Sequence, residues 1–355
     1  MEGLFAKFLT IIIYSSNKKR NSQFHSFYLN LKNRNSYKMK RKILSLFIVL
    51  LSGFSFAQET IPLYQQYLLN SEFLFNPAYF GNTDDVVFMA NYQKQFSKFD
   101  ESPNVQSVGL HANIFDRVGA GAYFFRDQNG PISANGIAIG ASYFVPLSDD
   151  DGRKDQFSFG TSVNFYNQSF DFSKVNAEDP NDPLLYESNN SIFIAYANLG
   201  LQATYKGAFA GVSVADIPLT NNIPVVNGIE PSPTRFYLNA GYDWFVSDGF
   251  SVSPSMMLNL NTNSSRMLDL NLQAKFYGEE NFFAAGVSYR TSNSTLGGQQ
   301  LSLSPFVNVK ANRFRFGATY NLGLSDIQQY GGNSFMIGLG YDLPNFINSR
   351  GFRYR

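Results

Sequence analysis

The sequence contains no cysteine among its 355 residues. A disulfide framework and a thiolate metal site are therefore both excluded. Histidine is almost as scarce, because only His111 follows residue 57. After the same point, no apolar run approaches the roughly 20 residues that a transmembrane helix requires. If this part of the chain spans a membrane, it must do so as a closed barrel in which every backbone group is paired.

Basic residues are also scarce after residue 57. The first 57 residues hold 10 of the 28 Lys and Arg residues but only one of the 27 acids, Glu2. The remainder carries 18 basic and 26 acidic residues, a formal net charge of −8. It shows no polybasic stripe, and nucleic-acid binding depends on such patches against phosphate. We therefore expect no nucleic-acid partner.

The N-terminal region has the features of an export signal. Met39 to Lys42 is basic, Ile43 to Phe54 is apolar, and Ser55-Phe56-Ala57 supplies small residues before Gln58. This order predicts a signal peptide over residues 39–57, cleaved near Ala57 and Gln58. Residues 1–38 are then either a start-site misassignment, with translation beginning at Met39, or a leader extension.

Apolar and polar side chains alternate with a period of two through much of the chain. One stretch places Leu268, Leu270, Leu272, Ala274 and Phe276 against Asp269, Asn271, Gln273 and Lys275. Such alternation is typical of strands with two unlike faces. Segments of about ten residues, repeated many times, fit a transmembrane β-barrel. We predict an all-β fold, a transmembrane antiparallel up-and-down barrel.

We can place about fourteen strands, an even number as bacterial single-chain barrels require. They begin near Val86, Gln106, Val118, Ala134, Gln156, Ile192, Gly207, Thr234, Phe250, Met267, Phe282, Gln299, Arg313 and Ser334. The predicted barrel covers residues 86–345, after an entry or plug segment at 58–85 and before a C-terminal tail at 346–355. We expect residues 58–85 to lie in the lumen or at the periplasmic mouth.

The predicted connections alternate between short turns and longer loops. The short set averages about four residues and the long set about twelve, as in barrels with periplasmic turns and external loops. Leu147 to Asp155 is the one long member of the short set. Asp127 to Ser133 and Thr291 to Gly298 are predicted among the long loops. Both ends of the barrel then lie on the short-turn, periplasmic side.

Three features invite a chemical interpretation. His111 points into the lumen by parity with Val108 and Leu110, where we expect a hydrogen-bonded interior histidine rather than a catalytic one. Asp149-Asp150-Asp151-Gly152 lacks the alternating spacing of a calcium loop and is interpreted as a solvated turn. Gly119-Ala120-Gly121 and Gly297-Gly298 are not followed by a helix, so they are strand and turn glycines rather than phosphate loops. We predict no catalytic, cofactor-binding or metal-binding residues.

Two further features leave alternatives open. Asp269, Lys275, Arg313 and Arg315 are predicted to face the lumen, where they either line a channel or pair across a filled interior. The proline of Asn76-Pro77-Ala78-Tyr79 either ends an extended entry segment before the first strand or belongs to a plug or docking element.

The segment after the predicted signal resembles a known family. It reads Leu63-Tyr64-Gln65-Gln66-Tyr67, then Asn70, then Phe75-Asn76-Pro77-Ala78-Tyr79-Phe80-Gly81. This pattern resembles the opening of the PorP/SprF family, outer-membrane proteins of the type IX secretion system of the Bacteroidetes. Phe96 stands where the family more often has tryptophan. The candidate structural or docking motif consists of Tyr64, Gln66, Tyr67, Asn70, Asn76, Pro77, Ala78, Tyr79 and Gly81.

The resemblance implies a non-enzymatic role without a cofactor in the outer membrane of a diderm bacterium. It implies a barrel that anchors or assembles a type IX-secreted surface protein through its C-terminal domain, an adhesin in gliding species, and/or contacts periplasmic ring or lipoprotein components. A passive porin is the main alternative, and a barrel enzyme is a third.

Overall fold

The computed structural model describes residues 63–99, 101–147, 155–174, 191–220, 232–262, 266–278, 280–294, 297–325 and 328–348. The predicted signal peptide, the acidic turn Asp149–Gly152 and most of the predicted tail lie outside these ranges. The strands are β1 (Asp85–Lys94), β2 (Asn104–Phe115), β3 (Val118–Asn129), β4 (Ile132–Pro146), β5 (Gln156–Phe170), β6 (Ser191–Tyr205), β7 (Ala208–Pro218), β8 (Arg235–Tyr242), β9 (Trp244–Ser247), β10 (Phe250–Asn261), β11 (Arg266–Tyr277), β12 (Phe282–Ser294), β13 (Gly297–Ala311), β14 (Phe314–Gly323) and β15 (Ser334–Pro344).

The strands form one closed antiparallel sheet. Each pairs with the next along the chain, and β1 also pairs with β15 over its full length, from Asp85 opposite Pro344 to Lys94 opposite Phe335. The segments β8 and β9 pair with successive parts of β10 and are separated by Asp243, so they form one strand of the wall. The barrel therefore has fourteen strands, which confirms the predicted fold class.

The outer face of the wall is apolar. On β4, Ile137 and Ile139 point outward and are 45% and 56% exposed, whereas Ala138 between them is buried on the lumen side. On β11, Leu270 and Leu272 point outward while Asp269 is fully buried inside. An apolar belt around a closed sheet matches the lipid-facing surface of transmembrane barrels.

Among the residues that the structure describes, none lies in a helix long and apolar enough to cross a membrane.

The two ends of the barrel differ in their connections. We call one end the short-turn rim, where Asp116-Arg117, Lys206-Gly207 and Asn312-Arg313 join neighbouring strands. We call the opposite end the long-loop rim, where β5 joins β6 and β7 joins β8 through connections of more than ten residues. The alternation is thus real, but several boundaries differ from the prediction.

Two predicted long loops at the long-loop rim are wrong. The β3–β4 connection is reduced to Gly130 and Pro131, because the strands stay paired as far as Asn129 opposite Ile132. Likewise, β12 continues to Ser294 and pairs with Gly297 at the start of β13. In both hairpins the strands remain hydrogen-bonded beyond the part of the sequence in which apolar, lipid-facing residues alternate with polar ones. The sequence pattern therefore ends before the strand does.

Candidate functional site

The lumen contains the segment that precedes β1. Residues 63–82, which we call the plug, include three short 3₁₀ helices at Leu63–Leu69, Glu72–Leu74 and Pro77–Tyr79. The plug forms hydrogen bonds to wall strands on different sides of the barrel, including Gln93 on β1, Leu201 on β6 and Asn308 on β13. Because these strands lie on different sides of the barrel, the plug must lie inside it. A fourteen-stranded wall leaves an interior that its own side chains do not fill, and the plug occupies that space.

The plug runs along the barrel from one rim toward the other. Near its start, Gln93, the penultimate residue of β1 at the long-loop rim, donates a 2.6 Å hydrogen bond to Gln65. Near its end, Gln156, the first residue of β5 at the short-turn rim, donates a 3.1 Å bond to Asn82. The chain therefore passes from the long-loop half of the lumen to the short-turn rim, where β1 begins.

The segment Asn76–Tyr79 forms a capped turn. The Asn76 side chain accepts a 3.0 Å hydrogen bond from the Ala78 amide and donates a 3.2 Å bond to the Leu201 carbonyl on β6. Pro77 occupies the first position of the turn, where its missing N–H costs nothing. Asn76 and Ala78 are completely buried. The proline thus starts a turn inside the lumen and does not end an extended entry segment.

Glycines of the wall face this turn. A methyl group at Gly160 on β5 would collide with the Pro77 carbonyl, and one at Gly200 on β6 would collide with the Asn76 side-chain oxygen. A methyl group at Gly119 on β3 would collide with the Phe80 carbonyl. These glycines bring the wall against the plug backbone, a close approach that only the absence of a Cβ allows.

A second set of contacts holds the end of the plug, where the chain leaves the lumen before β1. The Gly81 amide donates a 3.0 Å hydrogen bond to Nδ1 of His111, and the Ser142 hydroxyl donates to the Phe80 carbonyl. Gly81 has a φ of +67°, in the left-handed region that favours glycine. His111 therefore faces the lumen, as its parity predicts, and serves as a hydrogen-bond acceptor for the plug.

Other members of the predicted motif also contact the wall. Gln66 is fully buried and accepts a hydrogen bond from Ser107. The Tyr67 hydroxyl lies 3.2 Å from a carboxylate oxygen of Asp269, to which it donates. Asn70 has a φ of +56°, and its amide closes the first 3₁₀ helix on the Tyr67 carbonyl.

The remaining two members of the motif, Tyr79 and Tyr64, have fewer described contacts with the wall. Tyr79 accepts a 3.3 Å hydrogen bond from the Asn239 side chain on β8. The backbone of Tyr64 lies in the first 3₁₀ helix, and its side chain lies outside the described part of the structure.

Charged residues in the lumen pair with charged residues on other strands of the wall. Arg290 donates two 2.6 Å hydrogen bonds to Asp269, and Arg315 donates bonds of 2.6 and 2.8 Å to Asp342. Lys275 donates a 2.7 Å bond to Asp243. Of the two alternatives for these residues, pairing is observed for Asp269, Lys275 and Arg315, and Lys275 and Arg315 also line cavities beside the plug. Arg313, predicted to face the lumen, instead lies in the β13–β14 turn and is exposed, because β14 begins one residue later than predicted.

Among the residues that the structure describes, two polar cavities lie beside the plug in the half of the lumen near the short-turn rim. Their volumes are about 420 and 250 Å³, and both are lined by Asn70, Glu72 and Tyr79. Within the described ranges, no three His, Cys, Asp or Glu side chains are grouped so that they could hold a metal ion.

Replacing Asn76 with alanine should loosen the plug. The change removes the cap on the Ala78 amide and the part-buried hydrogen bond to the Leu201 carbonyl. We expect a loss of about 2 kcal/mol in the free energy of unfolding. The measurement is a denaturant titration of the detergent-solubilised barrel.

Thr83→Ala is the control for Asn76→Ala, since the Thr83 hydroxyl accepts one 3.3 Å bond from the Asp85 amide in a part-buried position. Equal midpoints for the two variants would contradict the anchoring role of Asn76.

Comparison with known protein families gives one match. The sequence model of the type IX secretion system membrane protein PorP/SprF matches residues 56–341. No curated protein matches the chain.

Several solved structures resemble the barrel at low identity. A TodX monoaromatic hydrocarbon channel mutant lacking S2 and S3 is 11% identical, covers 78% of this chain and 94% of its own, and gives a TM-score of 0.49. The Ralstonia pickettii toluene transporter TbuX is 11% identical, with coverages of 76% and 92% and a TM-score of 0.46. The KdgM porin is 10% identical, with coverages of 72% and 98% and a TM-score of 0.33.

The family model covers the plug and nearly the whole barrel, from before the first 3₁₀ helix into β15. The chain belongs to the PorP/SprF family of type IX secretion system membrane proteins.

Proposed function

We propose that this protein is a plugged, non-enzymatic outer-membrane barrel that anchors or assembles a type IX-secreted surface protein. The cargo would be an adhesin-type protein that carries a type IX C-terminal domain. The rim that faces the periplasm would contact ring or lipoprotein components of the same system. The outer membrane supplies the lipid around the apolar belt.

The observation that carries this proposal is the plug. An open diffusion pore needs a continuous water path, whereas here residues 63–82 cross the lumen and are tied to wall strands on different sides. A filled lumen favours a function at the rims, where loops on a rigid wall are available to a partner. The membership in a secretion-system family gives the class of partner.

Two paired assays test the anchoring proposal in cells that carry the type IX system. Affinity purification of the detergent-extracted barrel should recover a secreted protein with a type IX C-terminal domain. Deletion of the gene should release that protein from the cell surface into the medium. Unchanged surface retention of every such protein in the deletion strain would contradict the anchoring role.

The passive porin remains the second candidate, and the cavities of about 420 and 250 Å³ beside the plug are the observation in its favour. That function predicts a different phenotype. Deletion would lower the uptake of a small solute and leave surface retention intact.

A further inference from the structure

A separate cavity lies in the lumen near the long-loop rim. Its volume is about 80 Å³. Four aromatic side chains line it, those of Tyr123, Phe125, Tyr166 and Tyr237. The Phe125 and Tyr166 rings meet edge to face at 5.8 Å. This volume accommodates an ammonium group and the carbons next to it, but not a large ligand.

Among the residues that the structure describes, three oxygen atoms in the cavity lining have no hydrogen-bond partner. They are a carboxylate oxygen of Asp127 and the side-chain carbonyl oxygens of Asn164 and Gln168. The three residues are 8%, 6% and 5% exposed. Asp127 and Gln168 flank Ala134 in one row across β3, β4 and β5, and Asn164 lies on the same face of β5. Buried acceptors without donors are costly, so the site favours a ligand that supplies donors.

The formal charge of the cavity lining is −1, counting Asp127 and Asp216 as anions and Arg235 as a cation. Arg235 donates a 2.7 Å hydrogen bond to Asp216, and Ser232 donates a 2.8 Å bond to the same carboxylate. This pair is neutral as a unit, which leaves Asp127 as the net charge among the lining residues. Binding of an anion in the cavity is therefore disfavoured, and binding of a cation is favoured.

We propose that this cavity binds a primary ammonium group. An alkylammonium supplies donors for the acceptor oxygens of Asp127 and Gln168, which flank Ala134 from the two sides. Asn164 lies four residues before Gln168 on β5, with Tyr166 between them, so its oxygen belongs to another part of the cavity lining. The ammonium group also carries the charge that complements Asp127, and the surrounding rings attract a cation through their faces. A metal ion fits less well, because one carboxylate and two amide oxygens are few ligands for Ca²⁺.

The position of the cavity sets the direction of approach. Asp127 and Gln168 lie two residues before the ends of β3 and β5, and Arg235 is the first residue of β8, all at the long-loop rim. The ammonium group would therefore arrive from this rim. It could belong to a free small amine or to a lysine side chain of a protein, and the same chemistry serves both.

Isothermal titration calorimetry of the purified full barrel in detergent tests the proposal. We expect n-butylammonium to bind saturably with a dissociation constant of roughly millimolar, and n-butanol, its neutral counterpart, not to bind. Asp127→Asn preserves the shape of the side chain and should weaken n-butylammonium binding about tenfold or more. Asp171→Asn, an exposed carboxylate already bonded to Ser173, is the matched control and should bind as the wild type does.

The tripeptide acetyl-Gly-Lys-Gly-amide identifies the source of the ammonium group. Binding of the tripeptide together with n-butylammonium supports a lysine side chain of a protein, whereas binding of n-butylammonium alone supports a free small amine. Equal binding of n-butanol, or unchanged binding by Asp127→Asn, would overturn the ammonium site. Absence of any saturable binding to the wild type would leave water as the occupant and also overturn it. None of these results bears on surface retention of cargo, which tests the proposed function separately.

Discussion

Replacing Gly200 with leucine should displace the plug from its position against the wall. A side chain at this position would occupy the place of the Asn76 oxygen and approach the Pro77 ring. Overpacking of this kind costs about 1–3 kcal/mol even where the neighbours are able to shift, and here the neighbour is itself anchored to Leu201. We expect proteinase K to cleave within residues 63–82 at least about tenfold faster than in the wild type. Mass spectrometry of the fragments locates the cut.

Gly298→Leu is the matched control for Gly200→Leu. It lies near the start of β13, and a Cβ at this position would meet no atom within 4 Å. The control should therefore resist the protease as the wild type does. Equal cleavage of the two variants would show that the glycines of the wall do not hold the plug.

Replacing Asp269 with asparagine should strongly destabilise the barrel, because it breaks a buried ion pair. The Asp269 side chain is 1% exposed and the Arg290 side chain 11%, so the variant retains a buried guanidinium beside a neutral amide. Removing one partner of such a pair costs about 3–5 kcal/mol. The expected loss is measured from guanidinium chloride unfolding in detergent.

Lys275→Met is the comparison variant for Asp269→Asn. The side chains of Lys275 and Asp243 are 18% and 25% exposed, so water screens this pair more strongly, and we expect a smaller loss of about 1 kcal/mol. Asp269→Leu combined with Arg290→Met should recover much of the stability, because no buried charge is left. A double variant as unstable as Asp269→Asn would contradict the explanation by an unpaired charge.

The strands of the barrel wall were predictable because the residues that assign each strand's two faces lie next to one another in the sequence. Leu270 and Leu272 alternate with Asp269 and Asn271 along one strand, and that alternation is enough to assign the two faces. The extents of the hairpins were less predictable. Asp127 and Gln128 point to opposite faces of β3 and both are polar, so the alternation no longer distinguishes a paired strand from a loop there.

The plug was recognisable as a motif, but its geometry was not. The contact between Asn76 and Leu201 joins residues 125 positions apart in the sequence, and nothing in the local pattern of either segment specifies it. The glycines of the wall are the signal that could have indicated this contact. Gly119, Gly160 and Gly200 fall at lumen-facing positions of β3, β5 and β6, and small lumen-facing residues on nearby strands indicate that something lies against them.

Ion conductance across a planar lipid bilayer tests the central claim most directly. If residues 63–82 fill the lumen, the purified wild-type barrel inserted into the bilayer should carry no steady current, while a variant that lacks these residues should conduct as a barrel of fourteen strands does. A stable ohmic conductance from the wild-type protein, equal to that of the deletion variant, would contradict a plugged barrel.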